Sequence, residues 1–215
     1  MAARTPLSRE RVLTTAVARA DRDGIDAVSM RNLAQDLGVV PMALYKHVAG
    51  KDELLDGMVD VVVAEIDPPG RGGWKRALRA RVLSAREAML RHPWAPAVME
   101  SRTTPTPTVL AHMDSSIAIL LEGGLSVDLT HHVMHALGSR IFGFSQELYP
   151  APPAAEIPPE VAAQLAAAFP HVVAVATSRP HDPGSVVGPG CDDQFEFEFA
   201  LDLLLDAIEQ RHEQG

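Results

Sequence analysis

The stretch LGVVPMALYKHV, residues 37–48, interrupts a helical pattern and restarts it within a few residues. Gly38 is a residue of the type that ends helices, because glycine adopts backbone conformations that a side chain disfavours. Pro41 suits the first turn of a new helix, where its missing N–H costs nothing. Helical character then continues from Met42 to Tyr45. The stretch therefore predicts two helices joined by a tight turn, the second of them short.

The sequence before this turn has the periodicity of two amphipathic helices. Residues 9–22 place their apolar side chains on one face, with Ser8 as a candidate N-cap and Gly24 as a stop. Ser29 is the next candidate cap, and it opens the helix that ends at Gly38. Three short helices with a glycine turn between the second and third predict a helix-turn-helix.

The rest of the chain is also predicted to be helical. The stretch DPPGRGG, residues 67–73, is the best candidate hinge. Helical periods cover residues 51–66 before it and residues 74–90, 109–121, 127–148, 160–169 and 195–210 after it. The last period begins with the alternation FEFEF, but its apolar residues fit a helix over the longer window. Aromatic residues make up only 5% of the chain, which favours helices over sheets.

An all-α fold with two functional parts is therefore expected. We predict a helix-turn-helix head at residues 1–50, a connecting helix at 51–67 and a larger helical domain at 68–215. Residues 1–51 hold eight Lys or Arg and five acidic residues, a net charge of +3, although the whole chain carries -9. A mildly basic head on an acidic body is the asymmetry of a protein that touches phosphates with one end only.

A single cysteine, Cys191, excludes a disulfide within the chain and a multi-cysteine zinc site. The N-terminus lacks the apolar core of a signal peptide, and no apolar run approaches the roughly 20 residues of a membrane span. These features predict a soluble cytoplasmic protein that has no membrane partner.

A helix-turn-helix points to double-stranded DNA. The major groove is about 12 Å wide and admits one helix, and only the first turns of that helix reach the base edges. Residues 8–66 resemble the DNA-binding head of the tetracycline-repressor (TetR) family. The resemblance is carried by the run DGIDAVSMRNLAQDLGVVPMALYKHVAGKDELLDGMVD.

This resemblance implies a DNA-contacting role for nine residues. The positions that match phosphate contacts are Arg31, Tyr45, His47 and Lys51. The positions that match base contacts are Met30, Pro41, Met42, Ala43 and Lys46. Tyr45 and His47 also have a purely structural interpretation, as packed residues. Since Pro41, Met42 and Ala43 lack hydrogen-bonding side chains, base specificity is expected to rest on apolar contacts, Lys46, Arg31 and DNA shape.

The segment GGWKRALRARVLSAREAMLRHPWAPAVM resembles the tetracycline-repressor branch of the same family. The resemblance implies a ligand-binding domain whose eighth and last helices pair with their copies in a homodimer. Two heads then read the half-sites of a pseudo-palindromic operator. The positions of the tetracycline–magnesium ligands align with Asp67, Arg81 and Met99, which do not match, so neither that ligand nor any other cofactor is expected. Candidates for lining an effector pocket are Arg81, Trp94, Met99, Arg102, Met113, His135 and Phe142.

The favoured function is a repressor released from its operator when a small molecule binds the C-terminal domain. One alternative is a helix-turn-helix regulator that acts without a small molecule. Another is a metal-dependent hydrolase that uses His131 and His135, which lie four residues apart on one helix face. That motif lacks the glutamate of an HExxH hydrolase, so no catalytic or metal-binding residue is predicted and the chain is not expected to be an enzyme.

Overall fold

The computed structural model describes residues 6–143, 158–176 and 192–214, and every regular element in these ranges is helical. The α-helices are α1 (Arg9–Asp23), α2 (Met30–Leu37), α3 (Pro41–Leu44), α4 (Lys51–Val63), α5 (Trp74–Arg91), α6 (Ala95–Ser101), α7 (Pro107–Glu122), α8 (Val127–Gly143), α9 (Pro159–Ala168), α10 (Pro170–Ala176) and α11 (Asp193–Gln214). The all-α prediction is confirmed. No described helix is long and apolar enough to cross a membrane.

The first two helices begin where the sequence predicts. The side chain of Ser8 accepts a hydrogen bond from the Arg11 N–H, and that of Ser29 accepts one from the Asn32 N–H. Each cap satisfies a backbone donor that the first helical turn leaves without a partner, which stabilises a helix by about 1 kcal/mol. The predicted apolar face of α1, Val12, Leu13, Ala16, Val17 and Ala20, is buried.

Helix α4 packs closely against α1. A Cβ atom on Gly57 would lie 2.6 Å from a methyl carbon of Leu13, so the absence of a side chain allows this approach. Leu54 and Met58 are completely buried on the same helix. Burial of such side chains stabilises a fold by about 1.5–3 kcal/mol each. The three helices of the head therefore share a core with the helix that follows them.

Several predicted helix ends differ from the structure, and one described helix was not predicted. Helix α4 ends at Val63 rather than at residue 66, because the chain tightens there into a turn in which the N–H of Glu65 donates to the Val62 carbonyl. Helix α10 was not predicted, and it begins directly after α9, with Pro170 in its first turn. The predicted extension of α8 to residue 148 lies beyond the described residues.

The chain divides into two compact units, Met1–Leu137 and Gly138–Gly215. In the first unit the core includes Leu33, Leu44, Leu78 and Leu120, all completely buried. In the second unit α9 packs against α10. On α11, Phe197, Leu201 and Leu205 are buried at steps of four residues, while Phe195, Phe199 and Leu203 are exposed.

Candidate nucleic-acid interface and polar clusters of the body

The turn between α2 and α3 is built by Gly38. Its φ of 65° and ψ of 36° lie in the left-handed region, which glycine adopts without the strain that a Cβ atom causes. The N–H of Val39 donates to the Ala34 carbonyl at 2.9 Å and closes the end of α2. Pro41 then occupies the first turn of α3. The glycine and the proline thus produce the reversal that the sequence predicts.

Helix α3 presents its outer face to solvent. Met42 is 72% exposed and Tyr45 is 46% exposed, while Leu44 and Val48 are buried and anchor the helix. The other predicted DNA-facing residues are also accessible: Arg31, Pro41, Lys46 and Lys51 are exposed, and Met30, Ala43 and His47 are half-buried.

The loop between α3 and α4 is held by Glu53. Its carboxylate accepts a hydrogen bond from the Ala49 N–H at 2.7 Å and lies 3.6 Å from the guanidinium of Arg9. This contact fixes the backbone just before Lys51 to the first turn of α4. The loop residues predicted to contact phosphates are therefore attached to a packed scaffold.

Charges in the head are distributed unequally. Two of its acidic side chains are paired with arginines, Asp36 with Arg19 at 2.6 Å and Asp23 with Arg22 at 2.8 Å. Five candidate DNA-contacting side chains, in contrast, make no hydrogen bond or ion pair with any described residue: Arg31, Tyr45, Lys46, His47 and Lys51. Positive groups without counter-ions on an exposed helix are suited to binding phosphates.

A cluster of polar side chains joins α1 to the segment that follows α4 and to the end of α5. We call these residues, Asp21, Glu65, Arg91, His92 and Trp94, the bridge cluster. The His92 ring places Nδ1 2.8 Å from Asp21 Oδ1 and Nε2 3.1 Å from Glu65 Oε1. The Trp94 indole N–H donates to the same oxygen of Asp21 at 2.7 Å.

Hydrogen bonds from Arg91 and His92 also favour the ionised form of Glu65 in this cluster. Arg91 donates from Nε and from a terminal nitrogen to Glu65 Oε2, at 3.1 and 2.8 Å. Burial opposes ionisation, but the hydrogen bonds from Arg91 and His92 hold the pKa of Glu65 below its usual range. The carboxylate is therefore ionised at neutral pH.

A second cluster surrounds Arg81 in the body. We call its members, Asp67, Arg81, His112, Ser115 and Ser116, the Arg81 cluster. Nε of the guanidinium donates to Ser116 Oγ at 2.8 Å, and one terminal nitrogen donates to the Asp67 main-chain carbonyl at 2.9 Å. The other terminal nitrogen lies 2.9 Å from His112 Nδ1 and 2.5 Å from Ser115 Oγ. All of these acceptors are uncharged.

Hydrogen bonds within the Arg81 cluster fix the tautomer of His112 and the orientation of the two serine hydroxyls. Both serine hydroxyls donate to the His112 carbonyl, so their lone pairs face the guanidinium. Because Arg81 can only donate, His112 Nδ1 must accept, and the ring carries its proton on Nε2. Burial and the positive charge of Arg81 lower the pKa of His112 from 6.5 to about 4. Burial also lowers the pKa of Arg81.

The predicted pocket residues are distributed over several environments. Met99 and Arg102 line a cleft of about 140 Å³ between α4 and the segment from α6 to α7. Arg102 is bonded there to Asp52 and Asp56. Other candidates lie elsewhere: Trp94 is buried in the bridge cluster, Met113 and His135 are exposed, and the side chain of Phe142 lies outside the described residues. A common pocket for these residues stays a prediction.

The histidine cluster on α8 is exposed. The ring centroids of His131 and His135 are 4.7 Å apart, and those of His131 and His132 are 5.5 Å apart. Among the residues that the structure describes, no group of three or more histidine, cysteine or acidic side chains is arranged to hold a metal ion.

Sequence reasoning did not find either polar cluster. His92 lies 71 residues from Asp21 and 27 from Glu65, and Arg81 lies 31 from His112. No local spacing predicts such contacts, because they form only when helices pack. A weak signal was present in the segment RHPWAP, where histidine and tryptophan follow the end of a helix.

Comparison with known proteins gives two family matches. Residues 12–58 match the model described as bacterial regulatory proteins, tetR family, and residues 68–212 match the tetracyclin repressor-like C-terminal domain. Together the matches cover the candidate interface and both polar clusters except Glu65 and Asp67.

Curated proteins that are similar in sequence are named as transcriptional regulators. The chain is 37% identical over 123 residues to the HTH-type transcriptional repressor DrrR1 of Streptomyces coeruleorubidus, which is 56% of this chain and 46% of the relative. The chain thus spans about half the length of the first curated relatives it matches. It is 27% identical over 220 residues to the HTH-type transcriptional repressor MT1396 of Mycobacterium tuberculosis, covering 94% of this chain and 80% of the relative.

A solved structure with a similar fold is that of ActR, a TetR family protein of Streptomyces coelicolor, in complex with actinorhodin. The two chains are 27% identical, the match covers 97% of this chain and 99% of ActR, and the TM-score is 0.71.

Proposed function

The chain belongs to the TetR family of bacterial regulatory proteins, and on that premise we propose that it is a transcriptional repressor released from DNA by a small molecule. It binds a pseudo-palindromic operator as a homodimer, as the sequence predicts. The observation that carries the proposal is the exposed outer face of α3, flanked by cations without counter-ions in the described chain. We place this activity in the cytoplasm, in line with the single cysteine.

We expect the interface residues to make two kinds of contact, some with phosphates and others with bases. Tyr45 and Lys51 are positioned to bind phosphates, which gives affinity and register without sequence preference. Met42 and Lys46 lie on the exposed part of the α3 segment, where apolar contact with thymine methyl groups and hydrogen bonding to bases are available. This arrangement predicts strong dependence on salt and modest sequence discrimination.

The test is a gel shift and a footprint on DNA that flanks the gene of the protein. We expect protection of a palindrome, and a slope of log affinity against log salt that falls by about one when a charged phosphate contact such as that of Lys51 is removed. Lys51→Gln and Tyr45→Phe report on phosphates, and Lys46→Gln reports on bases. Arg211→Gln, an exposed charge near the end of α11, is the matched control. Equal binding of operator and random DNA at moderate salt would sink the proposal.

Dimerisation is supported by the exposed apolar stripe of α11. Phe195, Phe199 and Leu203 recur at steps of four residues, and the two phenyl rings stack with centroids 6.2 Å apart. Exposed apolar stripes on a helix are typical of protein interfaces. Sedimentation should find a dimer for the wild type and a monomer for Phe199→Glu. A monomeric wild type at micromolar concentration would contradict this part of the proposal.

The effector is proposed to bind near Arg81 and to carry an acidic group. Arg102 already has two carboxylate partners, whereas the guanidinium of Arg81 has only neutral ones among the described residues. Burying a cation without an anion is costly, so a negative group on a ligand has most to gain at Arg81. Binding there would act on the end of α4 through the Asp67 carbonyl and would shift the population of head positions.

Actinorhodin is a suitable first probe, since it is the ligand named for the ActR complex. We expect it to release the wild-type protein from the operator and to lose this effect in Arg81→Met, with Arg102→Met still responsive. Unchanged release from Arg81→Met would contradict the assignment of Arg81. A wild type that binds its operator but responds to no compound tested would favour the alternative, a regulator that acts without a small molecule.

A further inference from the structure

His92 has an environment that neither the DNA interface nor the effector proposal explains. Its side chain is 8% exposed and lies between two carboxylates, Asp21 of α1 and Glu65 just after α4. Asp21 belongs to the head, and His92 follows α5 of the body. One buried ring therefore contacts the head and the end of the connecting helix at the same time.

The hydrogen bonds determine how many protons the ring carries. Ionised carboxylates only accept, so a ring that bonds to both must donate from both of its nitrogens. A neutral imidazole has one N–H and can satisfy only one of the two. The observed distances of 2.8 Å to Asp21 and 3.1 Å to Glu65 place both ring nitrogens within hydrogen-bonding range of a carboxylate, an arrangement that a doubly protonated ring satisfies in full.

The remaining groups of the bridge cluster favour the same charge. The charged groups facing His92 are Asp21 from α1 and Glu65 from the segment after α4, and Arg91 of α5 is bonded to Glu65. The cluster is neutral as a whole when His92 is charged, and it has one negative charge in excess when the ring is neutral. The indole N–H of Trp94 is a further donor to Asp21 and keeps that carboxylate in place.

We propose, on the basis of the operator-binding function above, that His92 is a positioning residue whose doubly protonated ring fixes the head to the body. Loss of one proton releases either Asp21 or Glu65, which leaves the head less constrained. A less constrained head must be ordered at the operator, and this lowers affinity. Operator affinity should therefore fall when the ring loses one of its two protons.

The first experiment tests the protonation state without DNA. Nitrogen NMR of the histidine-labelled full chain at pH 6.5 should show a ring with protons on both nitrogens, assigned to His92 by its contact with the Trp94 ring, 6.0 Å away between centroids. The signal should be absent from a His92→Gln variant. A neutral His92 ring at this pH overturns the proposal, whether or not the variant folds.

The second experiment measures operator affinity at pH 6 and pH 8 for the wild type, His92→Gln and the matched control His171→Gln, which changes an exposed histidine of α10. We expect the affinity of the wild type and the control to fall about fivefold more than that of His92→Gln. Any dependence on pH that comes from other groups is shared by all three proteins and cancels in the comparison. Circular dichroism confirms that each variant is folded.

The outcomes separate the two proposals. Specific binding with the same pH profile in the wild type and His92→Gln overturns the role of His92 and leaves the repressor function intact. A wild type that shows no specific binding at either pH removes the repressor function, and the positioning role falls with it.

Discussion

The bridge cluster and the Arg81 cluster each combine an arginine with a histidine, and their charges are arranged in opposite ways. In the bridge cluster two cations meet two carboxylates, so every charge has a partner. In the Arg81 cluster the guanidinium meets hydroxyl, carbonyl and imidazole groups, all neutral. The neighbouring groups determine the hydrogen-bonding role of each histidine. The ring of His92 faces two acceptors and donates to both, whereas Nδ1 of His112 faces a donor and accepts from it. The charged groups of the first cluster are bonded to one another, whereas the guanidinium of the second contacts no anionic group among the described residues, because the carboxylate of Asp67 accepts from Ser84 instead.

This difference separates a structural link from a candidate binding site. A complete cluster resists the removal of any member, because a buried partner is left without its counter-ion. A cluster with an uncompensated charge tolerates the loss of that charge, because desolvation already works against it. The difference between the two clusters can therefore be tested by removing one side chain from each and measuring the loss in the free energy of unfolding.

The largest effect is expected for Asp21→Ala. This change leaves the buried His92 ring and the Trp94 indole without their shared acceptor, at a cost of about 2–3 kcal/mol in the free energy of unfolding. Urea denaturation of the full chain measures it. Asp23→Ala is the matched control on the same helix, and its exposed pair with Arg22 should contribute almost nothing. Similar costs for the two variants would mean that the bridge cluster does not hold the head.

A smaller effect is expected for Arg81→Met. The variant loses hydrogen bonds to neutral acceptors and also removes a buried charge, so the two changes largely offset each other and leave a cost of about 1 kcal/mol. The two serine hydroxyls keep their bonds to the His112 carbonyl. The same urea series measures the change. A cost as large as that of Asp21→Ala would show that Arg81 has a charged partner within the chain.

The sequence predicts local features well, but it does not predict the contacts that form the two clusters. Ser29, Gly38 and Pro41 act on their own backbone or on that of close neighbours, so the turn of the helix-turn-helix is readable from their order. The exposure of Met42 follows from the helical period once Leu44 is placed in the core. The contacts of His92 and Arg81 depend instead on how α1, α5 and α7 pack, and residue spacing does not contain that information.

Helix α10 shows a second reason why the sequence does not predict every element of the fold. Its sequence PHVVAVA follows Phe169 directly, and β-branched valines weaken a helical signal. Pro170 reads as a stop for α9, which it is, but it also serves as the first residue of a new helix. Pro41 likewise serves as the first residue of a helix, but there Gly38 has already ended the preceding one. Where no such glycine precedes it, a proline is read from the sequence only as the end of one helix, and the helix that begins at that proline is not predicted.

The smallest effect at neutral pH is expected for His112→Asn, which changes how stability depends on pH. The pKa of His112 is lowered from 6.5 to about 4, so between these values the unfolded chain binds a proton that the folded chain does not. Stability is therefore complete above about pH 6.5 and is lost as the pH falls towards 4. Asparagine places an oxygen near the position of Nδ1 and accepts from Arg81 without titrating.

Urea denaturation at intervals from pH 7.5 to pH 4 measures this dependence in both proteins. Other acidic groups titrate in the same range, but they are shared, so the difference between wild type and His112→Asn isolates the ring. We expect the two free energies of unfolding to agree at pH 7.5 and the variant to lose less stability on acidification. Parallel curves would show that His112 takes up a proton as readily in the folded chain as in the unfolded one. The guanidinium of Arg81 would then be too well neutralised to repel it, and the distinction between the two clusters would disappear.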